Sequence, residues 1–141
     1  MNTTALEGEH CISPDGERLY FSSDRDGGIG GIDIWSSDWD GTAWSEPVNL
    51  GTPINSSSSD MQPAFAADDP ATMYLVSDRD GDSSIFRSGW DGTTWSDPER
   101  IVTGYVGEPS LPADGSVLYF VHVLVDDAGV FGSDIWYTLT H

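Results

Sequence analysis

The stretch "SPDGERLYFSSDRDGG", Ser13 to Gly28, decides the fold, because its pattern returns twice further along the chain. The second version is "AADDPATMYLVSDRDGD", Ala66 to Asp82, which repeats Ser-Asp-Arg-Asp-Gly after a β-rich run. The third, "LPADGSVLYF", Leu111 to Phe120, keeps the turn and the run and drops the arginine loop. The tyrosine inside each run falls at 20, 74 and 119, spacings of 54 and 45 residues. Periods of that size mark a repeated supersecondary unit, one propeller blade per repeat.

Each unit parses from local chemistry. In the first, "HCIS" is a short strand, and Pro14 and Gly16 make a turn, since proline presets φ and glycine accepts positive φ. "RLYFSS" is the second strand and "IDIWSS" the third, alternating apolar and polar residues. Asp40-Gly41 and Asp91-Gly92 are hairpin signals between tryptophan-bearing segments. "WSEPVNL" is a polar fourth strand, with Pro47 acceptable at an edge. No segment shows a sustained 3.6-residue apolar period, so helix is not expected. The units run over residues 9–50, 62–101 and 108–141. A lone four-stranded meander leaves both faces bare. Tyr20, Tyr74 and Tyr119, with Trp35, Phe86 and Trp136, are therefore expected to fill the gaps between stacked sheets.

The run "SPDGERLYFSSDRDGGIGGIDIW" resembles the TolB-type, WD40-like β-propeller repeat, in which a Ser-Pro-Asp-Gly turn precedes a strand and a Ser-Asp-Arg loop follows it. The resemblance covers nearly the whole chain in three copies. It implies an all-β propeller of three four-stranded antiparallel blades, whereas closed rings have about 4–8 blades. The third repeat stops after its third strand, and residues 2–6, "NTTAL", sit where a preceding outer strand would. The expectation is half of a six-bladed ring, closed by a homodimer in which residues 2–6 of one chain complete the third blade of the other. A longer propeller of which this is a part is the rival.

Composition narrows the partners. The chain has 141 residues, 24 acids, five arginines, no lysine and a net charge of −19. Such a surface repels phosphate backbones and anionic lipid, and attracts cations and basic proteins. No run approaches the roughly 18 apolar residues of a membrane helix. The first ten residues show no basic segment and no apolar run, so no signal peptide is visible. The expected compartment is cytoplasmic, or periplasmic for a fragment of an exported protein. A single cysteine, Cys11, forms no internal disulfide and reads as a small buried hydrophobe.

Turns of a meander alternate between two rims, so the arginine loops share one rim with the links between blades. Asp24, Arg25, Asp26, Asp78, Arg79 and Asp80 are binding candidates there. Asp78, Asp80 and Asp82 have the alternate spacing of a Ca²⁺ loop, although Ser83 stands where that loop has glycine and Gly89 where it ends in glutamate. The competing reading has each aspartate cap its own turn while the arginine ties neighbouring blades. The innermost strands are entered at Glu9-His10, Gln62-Pro63 and Glu108-Pro109, and of these Glu9, His10, Gln62 and Glu108 are candidates for a polar channel mouth. No nucleophile elbow, phosphate loop or metal-type histidine cluster is present. The expected function is a non-catalytic module docking a protein or peptide. The alternative is a propeller hydrolase acting on a glycan or lactone at a channel site that takes metal.

Overall fold

The structure, a computed structural model, describes residues 3–127 and 129–141, the side chains at 130 and 131 excepted. Among the described residues there are eleven strands and no helix, hence none long and apolar enough to cross a membrane. The first sheet holds β1 (Glu7–Ile12), β2 (Arg18–Ser23), β3 (Asp33–Asp38) and β4 (Val48–Asn49), in that order. The second holds β5 (Asp60–Ala66), β6 (Asp69–Ser77), β7 (Ser84–Gly89) and β8 (Glu99–Val102). The third has three strands, β9 (Val106–Ser110), β10 (Val117–Asp126) and β11 (Gly129–Leu139), with β10 central. All pairings are antiparallel between sequence neighbours, which makes each sheet an up-and-down propeller-type blade.

The turns fold as their residues dictate. Asp15 accepts hydrogen bonds from Ser13 Oγ at 2.5 Å and the Glu17 amide at 3.0 Å. Asp40 and Asp91 each accept two backbone amides at 2.8 Å, while Gly41 and Gly92 take φ near +97° and +98°. Trp39 and Trp90 then pack on Trp44 and Trp95 with ring centroids 5.2 Å apart. The fourth strands are shorter than the sequence implies: β4 is two residues long, because Pro47 offers no N–H to the ladder.

Two layers of apolar side chains lie between the sheets. Tyr20 and Ile34 of the first blade pack with Ile54 against Met73, Leu75 and Phe86 of the second. Tyr74, Val76 and Ile85 on the second blade's other face pack against Val106, Leu118 and Phe120 of the third. Each such fully buried aliphatic side chain contributes about 1.5–3 kcal/mol. The expected interblade role therefore holds for Tyr20, Tyr74 and Phe86, which are 2–5% exposed. Trp35 is buried too, but on the first blade's other face, beneath Arg25. It does not hold within the chain for Tyr119 and Trp136, which are 45% and 51% exposed. The described residues 3–6 of the anticipated completing strand form a bend that hydrogen-bonds to Glu7 and Asp24; Asn2 lies outside the described residues.

Candidate functional site

Each innermost strand carries an irregularity at the same place. Pairing shifts between Gly8 and Cys11, between Met61 and Ala64, and where Gly107 and Ser110 face Val121 and Tyr119. The residue inside each bulge has a left-handed backbone: Glu9 at φ +48°, Gln62 at +54° and Glu108 at +54°. A non-glycine residue rarely adopts this conformation, because its Cβ crowds the neighbouring carbonyl. The bulge turns all three side chains into one cleft of about 320 Å³, which His10, Pro63 and Pro109 also line.

Hydrogen bonds run through this cleft from blade to blade. The Glu108 amide donates to Gln62 Oε1 at 2.6 Å, and Gln62 Nε2 donates to Glu9 Oε1 at 2.8 Å. The Gln62 amide donates in turn to Ser22 Oγ at 3.0 Å, anchoring the second blade to the first. Both prolines remove a backbone donor and leave an apolar wall beside the carboxylates. Glu9, His10 and Glu108 are exposed. All four sequence candidates for the channel mouth are thus brought together.

The rim candidates are distributed differently. Arg79 stacks over Phe86, 5.1 Å from its centroid, pairs with Asp60 at 2.5 Å and donates to the Pro53 and Ile54 carbonyls. It thereby joins the second blade to the link arriving from the first. Arg25 lies over Phe21 and Trp35, at 4.8 and 5.3 Å, and pairs with Glu7 at 3.1 Å. Asp24 accepts the Leu6 amide and Asp78 the Ser59 amide, at 2.8 and 2.7 Å; Asp26 is exposed. Asp80 pairs with Arg100 at 3.3 Å, and Asp82 uses its carbonyl to accept from Ser84 Oγ. The carboxylates of Asp78 and Asp80 therefore have separate partners. Among the described residues no group of three or more histidine, cysteine, aspartate or glutamate side chains is gathered as a cation would require.

Two buried carboxylates escaped the sequence reading. Asp60, fully buried, accepts the Ser56 amide and hydroxyl at 2.6 and 2.8 Å besides Arg79. Asp33, also fully buried, accepts the Ile29 and Gly30 amides and Asn49 Nδ2. Both fix the links between blades. Their only sequence signal is position, immediately before or at the first residue of a strand. The hairpin acids Asp15, Asp40, Asp91 and Asp114 are held below the ordinary carboxylate value by hydrogen bonds from hydroxyls and amides of their own turns. Burial pushes the Cys11 thiol up to about 12, so it stays protonated and unreactive.

No protein-family model matches this chain, and no curated protein sequence matches it. Sixteen chains of solved structures do match. One is a protein of Agrobacterium tumefaciens assigned as TolB: 25% identical, with a TM-score of 0.66 over 99% of this chain. The likeness is to a TolB-like propeller fold. The chain spans 47% of that protein's length.

Proposed function

We propose that this chain is a non-catalytic docking module, half of a six-bladed propeller, that holds a basic protein or peptide segment at its axial cleft. The observation that carries the reading is the convergence of Glu9, Gln62 and Glu108, each left-handed at the same register of its blade. Such residues cost about 1–3 kcal/mol each and cluster at ligand clamps. Glycine would relieve the strain, yet three polar side chains stand there. The Glu108 side chain makes no hydrogen bond or ion pair among the described residues, so its carboxylate is available to a ligand. A net charge of −19 favours a cationic partner and draws it in from a distance. The TolB-like fold supports the interaction-module class.

The test is fluorescence anisotropy with an arginine-rich peptide and a glutamate-rich one of equal length. The basic peptide should bind and the acidic one should not. Glu9→Gln with Glu108→Gln should weaken binding about tenfold, the equivalent of one 1.4 kcal/mol step. A charge-matched control, Asp26→Asn with Asp97→Asn, should leave the affinity within about twofold, as expected for exposed charges away from the contact. Equal losses in the two variants, or no binding at all, would overturn the docking reading.

A further inference from the structure

Between the first and second blades the sheets leave a groove of about 430 Å³ that shares no lining residue with the axial cleft. That volume lies within the roughly 300–1,000 Å³ of small-molecule sites. The second blade's wall is the Trp90–Trp95 hairpin, and the first blade's runs from Arg18 and Asp38 to the link at Pro53. Trp95 is anchored, packing on Phe65 with centroids 6.3 Å apart and against the closed interblade core. Trp90 lies on Trp95 at 5.2 Å, its backbone bridged to Trp95 and its amide bonded to the Ala71 carbonyl at 2.7 Å. It is still 37% exposed. An indole held this way on a hairpin meets a ligand with little loss of conformational freedom.

The groove is electrically quiet in a chain of net charge −19. Its only charged lining residues, Arg18 and Asp38, pair with each other at 2.5 Å. The groove between the second and third blades, about 490 Å³, differs: four acids, Asp69, Asp97, Glu99 and Asp114, surround Arg87, and no tryptophan lines it. A cation is drawn to that second groove, and an anion is repelled by the surface as a whole. What the first groove offers is an open aromatic ring beside unpaired oxygens. The hydroxyls of Thr52 and Thr93 and the second carboxylate oxygen of Asp38 line it and make no hydrogen bond among the described residues.

We propose that the groove between the first two blades binds a neutral saccharide, stacked on Trp90. The axial C–H groups of a pyranose ring are made slightly positive by the oxygens on their carbons, and they pack on the negative face of the indole. The hydroxyls at the edge of the ring donate to Asp38 Oδ2 and exchange hydrogen bonds with Thr52 and Thr93, in place of those made to water. A purely apolar ligand would strip water from these three groups and return nothing. A proline-rich peptide would cover the indole but has no N–H to give Asp38. Only a ligand with an apolar face and a hydroxylated edge matches both halves of the groove.

Isothermal titration calorimetry with cellotriose, maltotriose and chitotriose tests the inference, with tetramethylammonium and decaproline as rival probes. At least one of the saccharides should bind. Trp90→Ala should weaken that binding at least about tenfold, as the loss of an aromatic anchor does. Trp39→Ala is the matched control, because Trp39 lies on Trp44 at the same 5.2 Å and is 40% exposed, yet stands outside the groove. Its affinity should stay within about twofold of the unmodified chain. Proton–nitrogen correlation spectra of the unmodified chain should show the saccharide moving the indole N–H signal of Trp90 and leaving that of Trp39; these decide the matter should Trp90→Ala unfold. No binding by any saccharide at about 10 mM, equal losses in the two variants, or binding of tetramethylammonium or decaproline in place of the saccharides would each overturn it. Peptide affinity at the axial cleft is read separately: a chain that takes saccharide and ignores the basic peptide keeps this inference and loses the docking reading. A chain that takes the peptide and no saccharide does the reverse.

Discussion

The second and third blades are built from nearly the same letters and have different fates. In the second, Tyr74 and Ile85 disappear under the third blade, and Arg79 lies across Phe86 with its charge matched by buried Asp60. In the third, Tyr119, Ile135 and Tyr137 face outward. Trp136, at the place of Phe86, meets His122 edge-on with ring centroids 5.6 Å apart and is half exposed. A side chain's burial here is a property of the neighbouring blade more than of its own.

That contrast is open to attack by substitution. Asp60→Ala should have the largest effect. It leaves the Arg79 guanidinium buried without its partner, a loss of about 3–5 kcal/mol. Chemical denaturation should register it as a fall in midpoint, whereas Asp80→Ala, at a half-exposed pair with Arg100, should move the midpoint by less than about 1 kcal/mol. Next come Ile34→Ala and Ile85→Ala, each expected to cost about 2–5 kcal/mol by emptying a closed interblade layer. Ile135→Ala, at a largely exposed side chain, should cost within about 0.5 kcal/mol by the same measurement. Equal losses at the three isoleucines would erase the difference between the faces.

A third substitution should change sign. Glu108→Gly relieves a left-handed backbone while leaving the amide that bonds Gln62, so it should stabilise the fold by up to about 1 kcal/mol and lose peptide binding. A thermal melt read beside the anisotropy assay checks both halves. Last and smallest is the acid response. Asp40 and Asp91 have folded values below the unfolded one, so their contribution is present above pH of about 4 and lost as pH falls through the folded values. Asp91→Asn should lower the neutral plateau slightly and leave the acid end of a stability-versus-pH curve unchanged, so that the acid limb between them flattens.

The blade order, the turns and the two closed aromatic layers were readable because each depends on local chemistry repeated at a fixed place. Asp-Gly sets a hairpin wherever it stands, and Tyr20 and Tyr74 occupy the same pleat. The channel mouth was readable only as a set of positions. Nothing in Gln62-Pro63 or Glu108-Pro109 announces a left-handed residue, since a residue before proline is biased toward extended backbone. Asp33 and Asp60 were hidden for a different reason. Among 24 acids, the two that lie buried against link amides look like the rest. The exposure of Tyr119 could not be foreseen from a repeat that writes the same tyrosine into a covered place twice.

Hydroxyl-radical footprinting of concentrated protein addresses the central claim at the residues concerned. The account expects Tyr74 and Ile85, beneath a neighbouring blade, to be labelled slowly, and Ile135, Tyr137 and Leu139 to be labelled fast. Equal labelling rates in the two sets would contradict it.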